Sequence, residues 1–190
     1  MDKTFWDKRY EEKLTGWDIG KISTPIKEYI DQLESKDIKI LIPGCGFGHE
    51  AQYLFQKGFT NVYLMDISPY PLEKFKKNNP TFPSKNILLG DFFEHNTFYD
   101  LILEQTLFCA ISPEKRDEYI KKIHELLNPK GKYVGVLFNC QFEGGPPFGG
   151  TKEDYFTLFS KYFQNISIKD CYNSIDARKE REVFIKAIKK

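Results

Sequence analysis

The sequence predicts an α/β domain: a mostly parallel sheet of about seven strands with one antiparallel strand and helices on both faces. Two observations predict it. From residue 38, short apolar runs alternate with amphipathic helical stretches through five units, and that alternation builds a parallel sheet. The last two apolar runs alternate in polarity, as an antiparallel pair does. The 190 residues suit a single domain, with 1–35 as an N-terminal lid and helices and 36–190 as the α/β core.

Local signals justify each element. Phe5, Trp6, Tyr10 and Leu14 fall at near-helical spacing over 4–14, and Thr15-Gly16 breaks the pattern. A second helix follows Ser23-Thr24-Pro25, with Pro in its first turn and Ile26, Ile30 and Leu33 on one face. Ile38–Ile42 is the first strand and ends in a glycine cluster. Glu50–Gln56 is a helix stopped by Lys57-Gly58. Asn61–Met65 is the second strand, ending at Asp66, and 70–78 is a short helix. Asn86–Leu89 and Tyr99–Leu103 are the third and fourth strands. The clearest helix is 113–127: Ser112 caps it, Pro113 opens it, and Asn128-Pro129-Lys130-Gly131 ends it. Lys132–Phe138 is the fifth strand and 151–161 a helix. Ile166–Cys171 and Glu182–Ile188 are the closing pair.

Composition narrows the function. Hydrophobic residues at 41% and charged residues at 29% exclude a disordered or collagen-like chain. Twenty-eight Lys and Arg against 27 Asp and Glu leave no basic field for a nucleic-acid backbone. No apolar run reaches the roughly 18–20 residues of a membrane span. The charged start at Met1–Arg9 is not a signal peptide. Cys45, Cys109, Cys140 and Cys171 form no CxxC pair and the three His no zinc spacing, so no metal is expected. A reducing, cytoplasmic setting fits these thiols. The sequence sets no oligomeric state, and a monomer stays open. The 17 Phe and 11 Tyr point to a Phe-rich core or to an aromatic-lined pocket.

Open parallel sheets bind ligands beyond the C-terminal strand ends, so the chemistry belongs at 43–50, 66–68, 90–93, 104–109 and 139–150. The strongest signal is Pro43-Gly44-Cys45-Gly46-Phe47-Gly48 after the first strand. Alternate glycines let backbone approach a ligand without Cβ clashes. Asp66 closes the second strand, where a carboxylate accepts from both hydroxyls of a ribose. Asp91-Phe92 offers a polar group and an aromatic for an adenine. The dinucleotide pattern G-x-G-x-x-G needs a third glycine where His49 stands, and no Lys-Ser/Thr follows for a phosphate loop. The observed G-x-G-x-G suits S-adenosylmethionine.

With these motifs the sequence resembles the class I S-adenosylmethionine-dependent methyltransferases. More narrowly it resembles the thiopurine S-methyltransferase family and its plant halide/thiol branch. The resemblance covers nearly the whole chain. It rests on Trp6-Asp7-Lys8-Arg9-Tyr10, Trp17-Asp18 with Gly20, Leu41-Ile42-Pro43-Gly44-Cys45-Gly46, Asp66-Ile67-Ser68, Phe108-Cys109-Ala110-Ile111 and Gly144-Gly145-Pro146-Pro147-Phe148. It also accounts for Ile42, which stands where most methyltransferases carry an acid: this family lacks the acid and covers its cofactor with an aromatic N-terminal segment.

The resemblance implies that Trp6, Tyr10 and Trp17 face cofactor and substrate. It places Gly44 and Gly46 at the methionine end, Asp66-Ile67 at the ribose, Asp91-Phe92 at the adenine and Gln105 beside the cofactor. Gln105 replaces an Arg of the animal enzymes and a Tyr of the plant ones, and Tyr10 a common Trp. Trp6, Trp17, Cys109 and Phe138 are substrate-pocket candidates, and no catalytic residue is assigned.

The implied reaction is in-line methyl transfer to a small thiol, halide or pseudohalide, leaving S-adenosylhomocysteine. Other acceptors (carboxylate, hydroxyl, metalloid) and binding without turnover are the alternatives. A soft anion needs no general base, and an N-terminal segment so poor in apolar anchors is expected to be mobile until cofactor binds. His95 reads as a loop residue, His124 as a helix-surface residue and His49 as a helix start. Gly145-Pro146-Pro147-Phe148 lacks the Asn of the DNA amino-methylating motif and follows a different strand, so it reads as a rigid site loop.

Overall fold

The computed structural model describes residues 2–190. In chain order the elements are α1 (Lys3–Glu11), α2 (Thr24–Asp31), β1 (Ile40–Pro43), α3 (His49–Gln56), β2 (Val62–Asp66), α4 (Pro69–Asn78) and β3 (Ile87–Leu89). They continue with β4 (Tyr99–Gln105), α5 (Arg116–Leu126), β5 (Leu127–Phe138), α6 (Lys152–Ser160), β6 (Phe163–Asp170) and β7 (Glu182–Lys189). The seven strands form one sheet in the order β3-β2-β1-β4-β5-β7-β6. β1 to β5 pair in parallel. β7 runs against both neighbours and is the one antiparallel strand.

The side-chain period of two assigns alternate residues to opposite faces. Leu41, Ile102, Tyr133 and Ile185 join the side chains of α5 and α6 on one face. Ile42, Leu64, Leu103 and Val134 meet Ile26 and Ile30 of α2, Ala51 and Leu54 of α3, and Leu72 and Phe75 of α4 on the other. The Phe count resolves largely into core: Phe59, Phe75, Phe108, Phe159 and Phe163 are fully buried.

Boundaries move where long-range pairing overrides local signals. The helix expected over 113–127 starts as a 3₁₀ turn at Pro113–Lys115, becomes α-helical at Arg116, and receives no side-chain cap from Ser112. It ends at Leu126 because Leu127 already pairs with Tyr99 of β4. Asn128 to Gly131 is therefore an irregular stretch inside β5, with Lys130 at φ +64° and a register shift between Tyr99 and Leu101. β6 starts at Phe163 and not Ile166. It crosses an irregularity at Asn165 (φ +50°), a residue type that tolerates the left-handed region. β1 begins at Ile40, two residues after the expected start. α6 opens on a reciprocal Thr151–Asp154 capping box.

The strand order turns around between β1 and β4. Their C-terminal ends diverge there into separate loops, which opens a crevice.

Phe159 and Phe156 share α6, but Phe159 is fully buried and Phe156 is 55% exposed. Phe159→Ala should cost about 3–5 kcal/mol in urea unfolding, and Phe156→Ala within about 0.5 kcal/mol. Equal losses would contradict this packing of α6.

Candidate active site

The floor of the crevice is the loop after β1. Gly44, Gly46 and Gly48 all have positive φ (55°, 51° and 72°), a region that side chains other than glycine's enter at a cost. A Cβ on Gly44 would sit 2.7 Å from a Leu107 methyl, and one on Gly48 2.5 Å from the Phe75 ring. Gly46 faces the crevice. Its amide donates to Asp66 Oδ2 at 2.9 Å, while Asp66 Oδ1 accepts from the Ser68 amide at 2.9 Å. One carboxylate thus ties the β1 loop to the turn after β2. Burial pushes the Asp66 carboxyl above its usual range, and the backbone N–H groups pull it back down.

Residues 3–18 lie folded onto this floor. Trp17 packs edge-on against both Trp6 and Tyr10 at 5.5 Å, and Tyr10 packs against Phe47 and Tyr70. Tyr10 is only 4% exposed. Three polar contacts fasten the segment. Ser68 Oγ donates to Asp7 Oδ1 at 2.6 Å, Asp18 Oδ1 lies 2.8 Å from His49 Nε2, and Arg178 Nη2 donates to the Trp17 carbonyl at 2.7 Å. The structure shows this segment in a docked arrangement. Its few apolar side chains are large aromatics that pack on one another, and the latches close on groups far away in sequence.

The β4 end forms the opposite wall. Glu104 is 1% exposed and accepts from the Leu107 and Phe108 amides and from the Tyr133 hydroxyl. It shapes the turn that presents Gln105 and Thr106. Arg116, at the start of α5, lies over the Phe108 ring and donates to the carbonyls of Phe148 and Gly149. The Phe148 amide donates to the Cys109 carbonyl at 2.6 Å. The glycine- and proline-rich loop is thus pinned beside β4. Cys109 is buried and donates to the Thr106 carbonyl. Burial and the nearby Glu104 push its thiol up to about 12, which leaves it protonated and a poor nucleophile.

The remaining cleft holds about 50 Å³. Of the residues expected at the site, Trp17, Gly44, Gly46 and Gln105 line it. Tyr10 and Trp6 pack behind Trp17, and Asp66 lies under Gly46. Ile67, Cys109 and Phe138 lie off its lining. Asp91 caps the following turn through the Phe93 amide. The Phe92 ring turns into the core against Tyr119, so it offers no face to an adenine. That expectation is corrected: strand-end position does not say which way a side chain turns. Asp18, Lys21, Ser23, Glu50 and Arg178 line the cleft without having been singled out as site residues. Asp18 was legible in the Trp17-Asp18 motif. Arg178 belongs to no motif and reaches the cleft only because β7 returns beside β5. His95 bonds Tyr99 and His124 packs on Phe163, both away from the cleft.

Fold and cleft together define a class I S-adenosylmethionine-dependent methyltransferase. The chain belongs to the thiopurine S-methyltransferase family, whose model, Thiopurine S-methyltransferase (TPMT), matches residues 1–189. It is 32% identical over 186 residues to Thiocyanate methyltransferase 1 of Brassica oleracea, covering 93% of this chain and 81% of that one. It is 25% identical over 180 residues to a Thiopurine S-methyltransferase of Vibrio parahaemolyticus, covering 85% and 83%. The fold superposes with a TM-score of 0.76 on the 1,6-didemethyltoxoflavin-N1-methyltransferase of Burkholderia thailandensis, solved with S-adenosylhomocysteine. That match has 15% identity and covers 98% of this chain and 86% of the other. S-adenosylmethionine is the cofactor.

The residues present fit this cofactor. Gly44 and Gly48 leave no room for a Cβ atom, Gly46 holds a positive φ at the crevice, and Gln105 Oε1 and Ser23 Oγ are buried at the cleft without a hydrogen-bond partner. Small-molecule sites usually measure roughly 300–1,000 Å³, and lifting of the aromatic segment is the expected way for this cleft to admit the cofactor. No helix among the described residues is long and apolar enough to cross a membrane, and no group of three His, Cys, Asp or Glu among them is placed to hold a metal.

Both tryptophans of the chain, Trp6 and Trp17, sit on the segment expected to lift. Titration with S-adenosylhomocysteine should give a saturable change in tryptophan emission, most of it lost in Trp17→Phe. Emission indifferent to ligand whose binding calorimetry confirms would sink the moving lid.

Burial raises the Glu104 carboxyl to about 7. The unfolded chain ionises it near 4.3, so between these values the folded state holds the extra proton and stability falls as pH rises. Above about 7 the loss is complete. The wild-type Tm should therefore decline relative to Glu104→Gln between about pH 4.5 and 7.5. Parallel curves for the two proteins would show that Glu104 does not titrate there.

Proposed function

We propose that the protein transfers the methyl group of S-adenosylmethionine to a small soft anion: a thiolate, or a halide or pseudohalide. The observation that carries this reading is Arg178. Its guanidinium is part of the cleft wall though the residue is only 8% exposed. It reaches Trp17 on the lid, lies 5.7 Å from the Phe138 ring centroid, and is paired to Glu182 at 3.5 Å. A buried cation with aromatic neighbours suits a polarisable, weakly hydrated anion. The name of the Brassica oleracea relative, a thiocyanate methyltransferase, supports the same class.

When bound, the cofactor supplies an electrophilic methyl group on a sulfonium. The chain's part is to align and to exclude water. Gly44 and Gly46 let the backbone approach the methionine end, and Asp66 has lone pairs left for ribose hydroxyls. Asp91 and the Phe92 backbone edge the adenine side, and Ile67 and Gln105 flank the nucleoside. Trp17 covers the sulfonium with Trp6 and Tyr10 packed behind it, and an aromatic face there favours its charge by roughly 0.5–2 kcal/mol. Arg178 holds the anion, with Cys109 and Phe138 behind it, and desolvation leaves the nucleophile bare for in-line attack. A thiolate or halide brings no proton that a side chain must take. We place the protein in the cytoplasm, a reducing compartment that suits its four free cysteines.

The rate should therefore follow the ionisation of the substrate. With iodide, kcat/KM should be flat across neutral pH. With thiols it should rise toward each thiol's own pKa, about 8.5 for an alkyl thiol. A limb at one pH for every substrate, iodide included, would assign the proton to a protein group and overturn the mechanism.

Arg178→Gln should lower kcat/KM for iodide or thiocyanate by about 1.5–3 kcal/mol, roughly 10- to 100-fold. Affinity for S-adenosylhomocysteine should change far less. Undiminished turnover of the anions in this variant would remove Arg178 from the substrate site.

A further inference from the structure

The groups around the cleft divide into those whose side chains are engaged by other parts of the protein and those without a side-chain partner. Asp18 is engaged by the Gly20 amide and by His49, and Arg178 by the Trp17 carbonyl and by Glu182. Lys21, Ser23 and Glu50 line the same cleft. Among the described residues, no side-chain hydrogen bond or ion pair joins Lys21 or Glu50 to another side chain. Ser23 is 3% exposed with its hydroxyl unpaired. A buried hydroxyl without a partner is costly to keep, and burial pushes the Glu50 carboxyl above its usual range. Ile42, at the β1 end of the cleft, is apolar and offers nothing to a charge.

One negative group, one positive group and one neutral acceptor therefore face a narrow space above the glycine floor. That set complements a zwitterion. The amino-acid end of S-adenosylmethionine is one, with an α-ammonium of three donors and an α-carboxylate. We propose that Glu50 and Ser23 accept hydrogen bonds from the α-ammonium and that Lys21 pairs with the α-carboxylate. The assignment rests on the reading of this cleft as the cofactor site. It gives the connector between α1 and α2, which carries Lys21 and Ser23, a direct hold on the ligand. The lid segment would then be drawn down by the cofactor's amino-acid end as well as by its sulfonium.

Three nucleoside ligands separate the parts by calorimetry: S-adenosylhomocysteine, its decarboxylated aminopropyl analogue, and 5′-methylthioadenosine, which lacks the whole amino-acid end. Glu50→Gln should weaken the first two by roughly 10- to 100-fold and leave the third within about twofold. Lys21→Met should weaken S-adenosylhomocysteine alone. Ser23→Ala should follow the Glu50 pattern with a smaller loss. Retained binding of 5′-methylthioadenosine shows that each variant is folded. If Glu50→Gln weakens all three ligands alike, Glu50 serves only the first turn of α3 and the proposal falls. It falls too if S-adenosylhomocysteine binds the variants as it binds wild type. Failure of all three ligands to bind wild type would instead overturn the cofactor site itself.

Discussion

The site depends on one buried carboxylate. Asp66 joins the Gly46 amide of the β1 loop to the Ser68 amide of the β2 turn, and Ser68 passes the connection on to Asp7 of the lid. Floor, neighbouring turn and cover are therefore set by a single group. Water is nearly excluded from it, so its hydrogen bonds act in a low-dielectric setting and losing one leaves a charge uncompensated. The glycines around it are permitted by the same arrangement. The loop can fold tightly against Leu107 and Phe75 only because those positions carry no Cβ.

The cover is held differently. It has no continuous apolar face. It docks through Tyr10, edge-on to Phe47 at 5.6 Å and stacked on Tyr70 at 5.9 Å, and through three polar latches. Such contacts are individually modest, which suits a segment that must both exclude water and release a product. The rest of the site is anchored by charges that are paired or stacked in the interior. Glu104 holds the β4 turn, Arg116 holds the Phe148 loop, and Arg178 joins β7 to the lid. Each would be costly if stranded.

Much of this was legible in the residues. Strand-helix alternation, the Gly44–Gly48 loop, Asp66 after β2 and the Trp6, Tyr10 and Trp17 set all depend on local periodicity, backbone freedom or short spacing, and short-range rules reach that far. Boundaries failed where partners lay far off. Leu127 left its helix to pair with Tyr99, and Asn165 was absorbed into an irregular β6.

The sequence by itself determined the fold class, the order of the strands along the chain, the cofactor chemistry and the composition of the cover. Only the tertiary structure decided which charges meet. Phe92 turned into the core, and Arg178 came to Trp17 across 161 positions of sequence. Asp18 came to His49, and Lys21, Ser23 and Glu50 were left facing one cleft. The reason is geometric. Local pattern sets which face of a strand or helix is apolar, but the neighbour of a loop side chain depends on how separate elements pack, and no short-range signal carries that.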